Sequence, residues 1–301
     1  MAHLLASLWP LFALILGGYA FRRKGFPGDA FWPGAERFNY YVLFPALLFK
    51  SLATAPLNNP AWPRVALCVG LVLAATWIAL LLMRRFFAWP PARFGVFVQG
   101  SLRFNTYIGL ATVGSVFGPD GLALVALLLA VTVPTVNVLS VYAFTSAGSL
   151  RRGVLALIIV KNPLIVACLL GIAANLAGVS LRGGTDNFLS LLAATSLPLG
   201  LLCVGAALKP EELRAETSAV VANSGVRLVI VPAVAYAFAR ALGLPAMETG
   251  VLTLFFALPS SPTGYVLARQ LGGDAHLMAG IITLQTLLSA ITLAIVLQVV
   301  R

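Results

Sequence analysis

The chain has 301 residues, of which 60% are hydrophobic and 10% charged. Soluble domains average roughly 45–50% apolar and about 25% charged residues, so a soluble fold of this length is excluded and lipid must form part of the solvent. The formal charge of +11 arises from 20 Lys and Arg against 9 Asp and Glu, and because these charges lie between apolar runs they point to basic loops beside anionic headgroups and away from nucleic acid.

A membrane-spanning helix takes about 20 mostly apolar residues, and lipid forces such runs to bond internally as helices. Ten candidate spans follow in chain order, at 4–21, 36–54, 64–83, 94–117, 121–144, 153–177, 186–207, 216–239, 246–270 and 275–299. The first precedes Arg22, Arg23 and Lys24. A signal peptide has the reverse order, so this span is expected to be a retained helix with its N-terminus outside. The connections are short and carry turn residues, as in Trp89-Pro90-Pro91, Gly118-Pro119-Asp120-Gly121 and Gly272-Gly273-Asp274. Cys68, Cys168 and Cys203 lie in apolar runs as buried small residues, and His3 and His276 lack neighbours at metal-ligand spacing. No cofactor or metal is expected.

Alternate loops hold twelve basic residues, Arg22, Arg23, Lys24, Arg37, Arg84, Arg85, Arg93, Arg151, Arg152, Lys209, Arg214 and Arg269, against four on the other side, Arg64, Arg182, Arg240 and Arg301. The bias places both termini outside the cytoplasm, in a multi-pass protein of the inner or plasma membrane. Helix breakers recur at nearly one offset. Pro10 meets Pro163, Gly18 meets Gly171 and Pro45 meets Pro198 at 153 residues, and Gly118-Pro119-Asp120 meets Gly272-Gly273-Asp274 at 154. Five spans per repeat make the second copy inverted, with a boundary at 148/149. Inverted repeats with interrupted helices mark secondary transporters whose site lies near the bilayer midplane.

The fourth and ninth spans are the least regular. One reads Gly100-Ser101-Leu102-Arg103-Phe104-Asn105-Thr106-Tyr107-Ile108-Gly109, the other Ala257-Leu258-Pro259-Ser260-Ser261-Pro262-Thr263-Gly264-Tyr265, and Asn105 falls opposite Pro259 at the repeat offset. Proline removes a backbone donor and glycine admits close approach, so both segments are expected to be broken helices facing a cavity. The alternative is an ordinary kink satisfied by neighbouring hydroxyls. Half-helix N-termini would suit an anionic group.

Five segments carry a family resemblance: Asn39–Leu52, Gly100–Ala111, Lys161–Gly171, Leu197–Leu208 and Leu258–Leu271. Together they resemble the auxin efflux carrier family, in its short bacterial branch, distantly similar to the plant auxin carriers, over about residues 4 to 299. Pro262 departs from the family pattern, where a small residue other than proline is expected. The resemblance implies an all-α membrane fold of bile-acid symporter or NhaA type, with the broken fourth and ninth spans crossing. It implies a scaffold of spans one, two, six and seven, which also makes a homodimer contact. Spans three to five and eight to ten would form a transport domain moving against it as an elevator. It further implies small organic anions as substrates, mono- or dicarboxylates or auxin-like acids. Asn105 and Pro259 match the crossover, with Pro262, Gly109 and Gly264 beside it. Asn137 matches a cavity-facing polar position, and Leu48 and Ser51 would line the scaffold side.

Arg103 and Arg227 lie about ten residues into their spans, some ~15 Å deep, and no Asp or Glu lies at that depth. A charge so placed marks function by default. Each arginine either attracts a substrate carboxylate, or caps broken-helix carbonyls or snorkels to the cytoplasmic face. Lys50 and Lys161 are expected to snorkel. A carboxylate-based proton relay has no candidate. The Thr106, Ser260, Ser261 and Thr263 hydroxyls leave a sodium site open. Efflux or uniport of an anion needs no coupling ion, since an inside-negative potential supplies about 2.3 kcal/mol per charge per 100 mV. The alternatives are a sodium-coupled carboxylate symporter and a substrate-sensing receptor. A membrane enzyme would need a buried acid, base or metal cluster that the spans lack.

Overall fold

The computed structural model describes residues 2–55, 61–144, 163–179, 181–214 and 216–300. The expected boundary at 148/149, and Arg151 and Lys161, lie outside the described residues. All regular structure among the described residues is helical. In chain order the helices are α1 (Ala2–Arg23), α2 (Phe31–Phe38), α3 (Phe44–Ala53), α4 (Trp62–Phe86), α5 (Pro91–Leu102), α6 (Thr106–Phe144) and α7 (Pro163–Leu176). There follow α8 (Gly183–Ala206), α9 (Thr217–Gly225), α10 (Val231–Ala241), α11 (Ala246–Phe256), α12 (Thr263–Gln270) and α13 (Ala275–Val299). Single π-helical turns at Asn39–Leu43 and Val226–Ile230 join α2 to α3 and α9 to α10.

Five helical stretches are long and apolar enough to cross a membrane: Trp62–Phe86, Pro91–Phe144, Gly183–Ala206, Thr217–Ala241 and Ala275–Val299. The second is not one rod. Gly118 adopts φ 63° and ψ −153°, a conformation open to glycine, and the following Pro119 disfavours the α region at residue 118. α6 is therefore bent at the point where the sequence separates its fourth and fifth spans. Large apolar side chains such as Leu82, Leu191, Val229 and Ile291 are exposed, as a lipid-facing surface requires. The protein is a multi-pass membrane protein.

The chain divides into two compact units. The first comprises Met1–Asn59, Leu110–Pro134 and Ala156–Ala207. Within it α1 packs along α8, and α3 along α7 and α8. Without a hydrophobic drive between helices in lipid, small residues that admit backbone contact set such packing. A Cβ on Gly205 would collide with the Ile15 carbonyl, and one on Gly18 with the Leu202 carbonyl. Gly171 lies as close to α3, where a Cβ would stand 2.7 Å from the Phe49 carbonyl oxygen. Polar ties supplement the packing. Asn39 Nδ2 donates to the Ser196 carbonyl at 2.9 Å, and Ser196 Oγ donates back to Asn39 Oδ1 at 2.9 Å. Asn175 Nδ2 faces the carbonyls of Leu52, Ala53 and Ala55 at 2.8–3.0 Å, capping the end of α3.

The second unit comprises Pro60–Gly109, Thr135–Leu155 and Leu208–Arg301. Its core joins α5, α9, α12 and α13 through Val96, Phe97, Val220, Ala268, Met278 and Ile281. α10 packs on α4 and α11. This unit holds both helix breaks.

Candidate functional site

The helix beginning at Pro91 stops at Leu102, where Arg103 turns extended at φ −70° and ψ 148°, and helix resumes at Thr106. The helix beginning at Ala246 stops at Phe256 and resumes at Thr263. The two gaps meet: the Asn105 N–H donates to the Pro259 carbonyl at 2.7 Å. Pro259, Pro262 and the hydroxyl residues between them cannot continue α11. Pro259 has no N–H to donate, and a proline clashes with the turn before it.

A broken helix leaves carbonyls and N–H groups that must be satisfied inside the protein. Three carbonyls near the end of α5 are met in turn, those of Gln99, Gly100 and Ser101. Gln99 O accepts from the Arg103 N–H at 3.0 Å and from Ser260 Oγ at 3.2 Å. Gly100 O accepts from Gln285 Nε2 at 3.1 Å, and Ser101 O from Arg227 Nη1 at 3.0 Å. Arg227 Nε also takes the Leu258 carbonyl at 2.6 Å, so one guanidinium spans both gaps. Gln285 does the same with its other end, since its Oε1 accepts from the Ser260 N–H at 2.8 Å. Asn223 Nδ2 reaches the Phe97 carbonyl and Ser101 Oγ, each at 3.0 Å, and its Oδ1 accepts from Gln285 at 3.0 Å.

The helix starts face the same region. Asn105 Oδ1 accepts from the Ile108 N–H at 3.2 Å and the Asn105 carbonyl from the Gly109 N–H at 3.0 Å, which makes Asn105 the N-cap of α6. That bond fixes the amide orientation, because only its oxygen can meet an N–H. The Asn105 Nδ2 donor is left without a partner, although the residue is only 1% exposed. Half-buried Arg103 donates from Nη1 to Thr263 Oγ1 at 2.9 Å and from Nη2 to Asn137 Oδ1 at 2.7 Å. Thr263 Oγ1 also lies 3.0 Å from Ser261 Oγ. The Arg103 guanidinium thus brings a positive charge to Thr263 Oγ1 and to the bonded Ser261 Oγ, two of the four oxygens considered for a cation, while Ser260 Oγ is taken up by the Gln99 carbonyl. Thr106, the fourth, is half-buried in the first turn of α6.

The structure thus brings Arg103, Asn105, Asn137, Pro259, Ser260, Ser261, Pro262 and Thr263 into one unit. Gly109 and Gly264, in the same unit, sit in the first turns of α6 and α12, where a Cβ would press on Leu258 at 2.6 Å and on Met278 at 2.7 Å. Leu48 and Ser51 belong to the other unit. Leu48 is fully buried, and Ser51 lines a cavity of about 350 Å³ with Lys50, Thr54, Asp120 and Ser190. Lys50, expected to snorkel, pairs with Asp186 at 2.9 Å and bonds Ser190. Gln99, Asn223 and Gln285 were not singled out from the sequence. Their signal was an amide side chain at mid-span in an apolar run.

Comparison with known proteins agrees with the membrane architecture. The family model described as "Membrane transport protein" matches residues 3–154 and 149–297. An uncharacterized transporter of Methanothermobacter thermautotrophicus is 28% identical over 291 residues, 93% of each chain. Another, from Methanocaldococcus jannaschii, is 22% identical over 262 residues, 85% of each chain. The chain therefore belongs to this family of membrane transport proteins, the auxin efflux carriers.

Proposed function

We propose that this transporter moves a small organic anion, a mono- or dicarboxylate or an auxin-like acid, by alternating access at the paired helix breaks, as a uniporter or efflux carrier. The observation that carries the reading is the Asn105 side chain. Its Nδ2 donor is buried and unpartnered at the N-terminus of α6, where helix amides also favour negative charge. Arg103, held by Asn137 and Thr263, adds a fixed positive charge. A carboxylate would complete both. Breaks centred 154 residues apart, at Asn105 and Pro259, and bonded to each other support ten helices in two inverted repeats. The separation of residues 1–59 and 156–207 from the unit holding both breaks supports a scaffold and a moving transport domain, although 110–134 groups with the first unit. Homodimerisation through the scaffold, both termini outside and residence in the cell membrane complete the proposal.

Sodium-coupled symport is the second reading, left open by the hydroxyls at the break, and the Arg103 guanidinium on Thr263 Oγ1 weighs against it. The test is purified protein in liposomes on a solid-supported membrane, with jumps of malonate, malate, succinate, indole-3-acetate and a neutral control, with and without sodium. A saturable anion current independent of sodium is expected. A current that requires sodium supports the symporter, and no current for any anion in folded, inserted protein contradicts carboxylate transport.

A further inference from the structure

Transporters with unwound helices commonly use the freed carbonyls and half-helix C-termini to hold a metal cation. The C-terminal ends of α5 and α11 here present such carbonyls, at Ser101 and Leu258, each at the negative end of a helix dipole. Both are taken by one side chain, Arg227, at 3.0 Å and 2.6 Å. Arg227 is 1% exposed, so it does not snorkel. None of the ion pairs among the described residues involves it, and its Nη2 has no partner. A buried charge without a counter-ion is costly, and removing its few compensating dipoles would cost more. Arg227 issues from the π-helical turn between α9 and α10, a turn that redirects side chains relative to a regular helix. Asn223 leaves the same stretch of chain one turn earlier and reaches Ser101 Oγ, so the support comes as a set.

We infer that the Arg227 guanidinium is a built-in cation. It takes the Ser101 and Leu258 carbonyls of the two breaks, the kind of group to which other carriers bind a metal ion, and it frees the carrier from sodium. Its charge, and not only its hydrogen bonds, holds the breaks together. Arg227 acts as a positioning residue: it touches the backbone that presents Asn105 and not the anion. The part of the test that reads flux rests on the anion-carrier reading above; the part that reads stability does not.

Wild type, Arg227→Lys, Arg227→Gln and Arg227→Ala are purified in detergent and their Tm is followed in choline chloride, in sodium chloride and with added millimolar methylguanidinium chloride. The same proteins are reconstituted for malonate currents. Wild type is expected to show one Tm and one current in choline and in sodium. The variants rank Lys above Gln, because Lys keeps the charge and Gln only a donor. Arg227→Ala regains Tm and current along a saturating methylguanidinium curve that choline does not reproduce and that wild type does not show. Methylguanidinium returns donors and charge together, so the rescue shows that a guanidinium fills the site, and the ranking of Lys over Gln separates its charge from its hydrogen bonds.

Three results overturn the inference: a Gln variant as stable and active as the Lys variant, an Ala variant indifferent to methylguanidinium, or a saturable stabilisation of wild type by sodium. If the Ala variant does not survive purification, the Lys and Gln comparison decides. If wild type carries no malonate current, anion transport as tested fails, while the Tm ranking still decides the role of Arg227.

Discussion

Asn105 performs two jobs with two atoms, and one substitution separates them. Its Oδ1 caps α6 through the Ile108 N–H at 3.2 Å, and its Nδ2 is the unpartnered donor offered to an anion. Aspartate has the same shape and caps a helix as well as asparagine, so Asn105→Asp keeps the cap, while a carboxylate at a position 1% exposed adds a desolvation cost that lowers Tm. It replaces the donor with a second acceptor that carries negative charge. A hydrogen bond to a charged group is worth about 1.5–3 kcal/mol, roughly a tenfold to 150-fold rise in the half-saturating anion concentration, and the added repulsion takes it beyond that. Asn105→Ala loses both atoms and should also lose about 0.5–2 kcal/mol of stability. The bond from the Asn105 N–H to Pro259 belongs to the backbone and survives in each variant. Tm in detergent and the concentration dependence of the malonate current read the two effects separately. An Asn105→Asp carrier with wild-type half-saturation would refute the assignment of Nδ2 to the anion.

Other substitutions test the frame around the site. Asn137→Ala removes the acceptor of Arg103 Nη2, and should raise half-saturation about tenfold, one positioning bond's worth, with little change in Tm. Gly205→Val drives a side chain into the Ile15 carbonyl; because the obstacle is backbone, the loss should reach at least the ~1–3 kcal/mol of ordinary overpacking, read as a lower Tm. Asn39→Leu strands Ser196 in the buried pair between the α2–α3 turn and α8 at a cost of about 1–3 kcal/mol. Adding Ser196→Ala should then cost less than the two single losses summed, which a double-mutant cycle on Tm measures. The Lys50–Asp186 pair is 27% and 36% exposed, and Asp186→Asn should change stability by under about 1 kcal/mol.

The sequence made the helix breaks legible because their cause is local. Glycine, proline and asparagine at 100–109 and 257–264 act on their own backbone, and no partner is needed to infer that the helix stops. Depth was legible for the same reason: Arg103 and Arg227 both stood out as charges inside apolar spans. Their division of labour was not. Arg227 takes carbonyls at Ser101 and Leu258, 126 and 31 residues away, while Arg103 takes Thr263 and Asn137, 160 and 34 residues away. Which partner each meets depends on the register of packed helices, and periodicity in a single chain carries no such information. Lys50 illustrates the point from the other side. A lysine near a span end reads as snorkelling, but its partner Asp186, 136 residues on, is not named by the local sequence. The amides of Gln99, Asn223 and Gln285 were overlooked because a neutral polar residue in an apolar span raises no alarm by charge. In lipid such a group still needs partners, and here they are the carbonyls the breaks release.

Chemical protection at the start of α6 tests most directly whether the anion binds at the breaks. Thr106 is half-buried beside Asn105, and Cys68, Cys168 and Cys203 are all buried, so Thr106→Cys supplies one accessible thiol among the described cysteines. The variant is exposed to a negatively charged methanethiosulfonate reagent with and without the transported carboxylate, and labelling and current are followed together. Binding at the breaks predicts that the carboxylate slows labelling at concentrations matching its half-saturation, and that the labelled carrier no longer passes current. Labelling unaffected by a saturating carboxylate, with a normal current afterwards, would place the anion elsewhere.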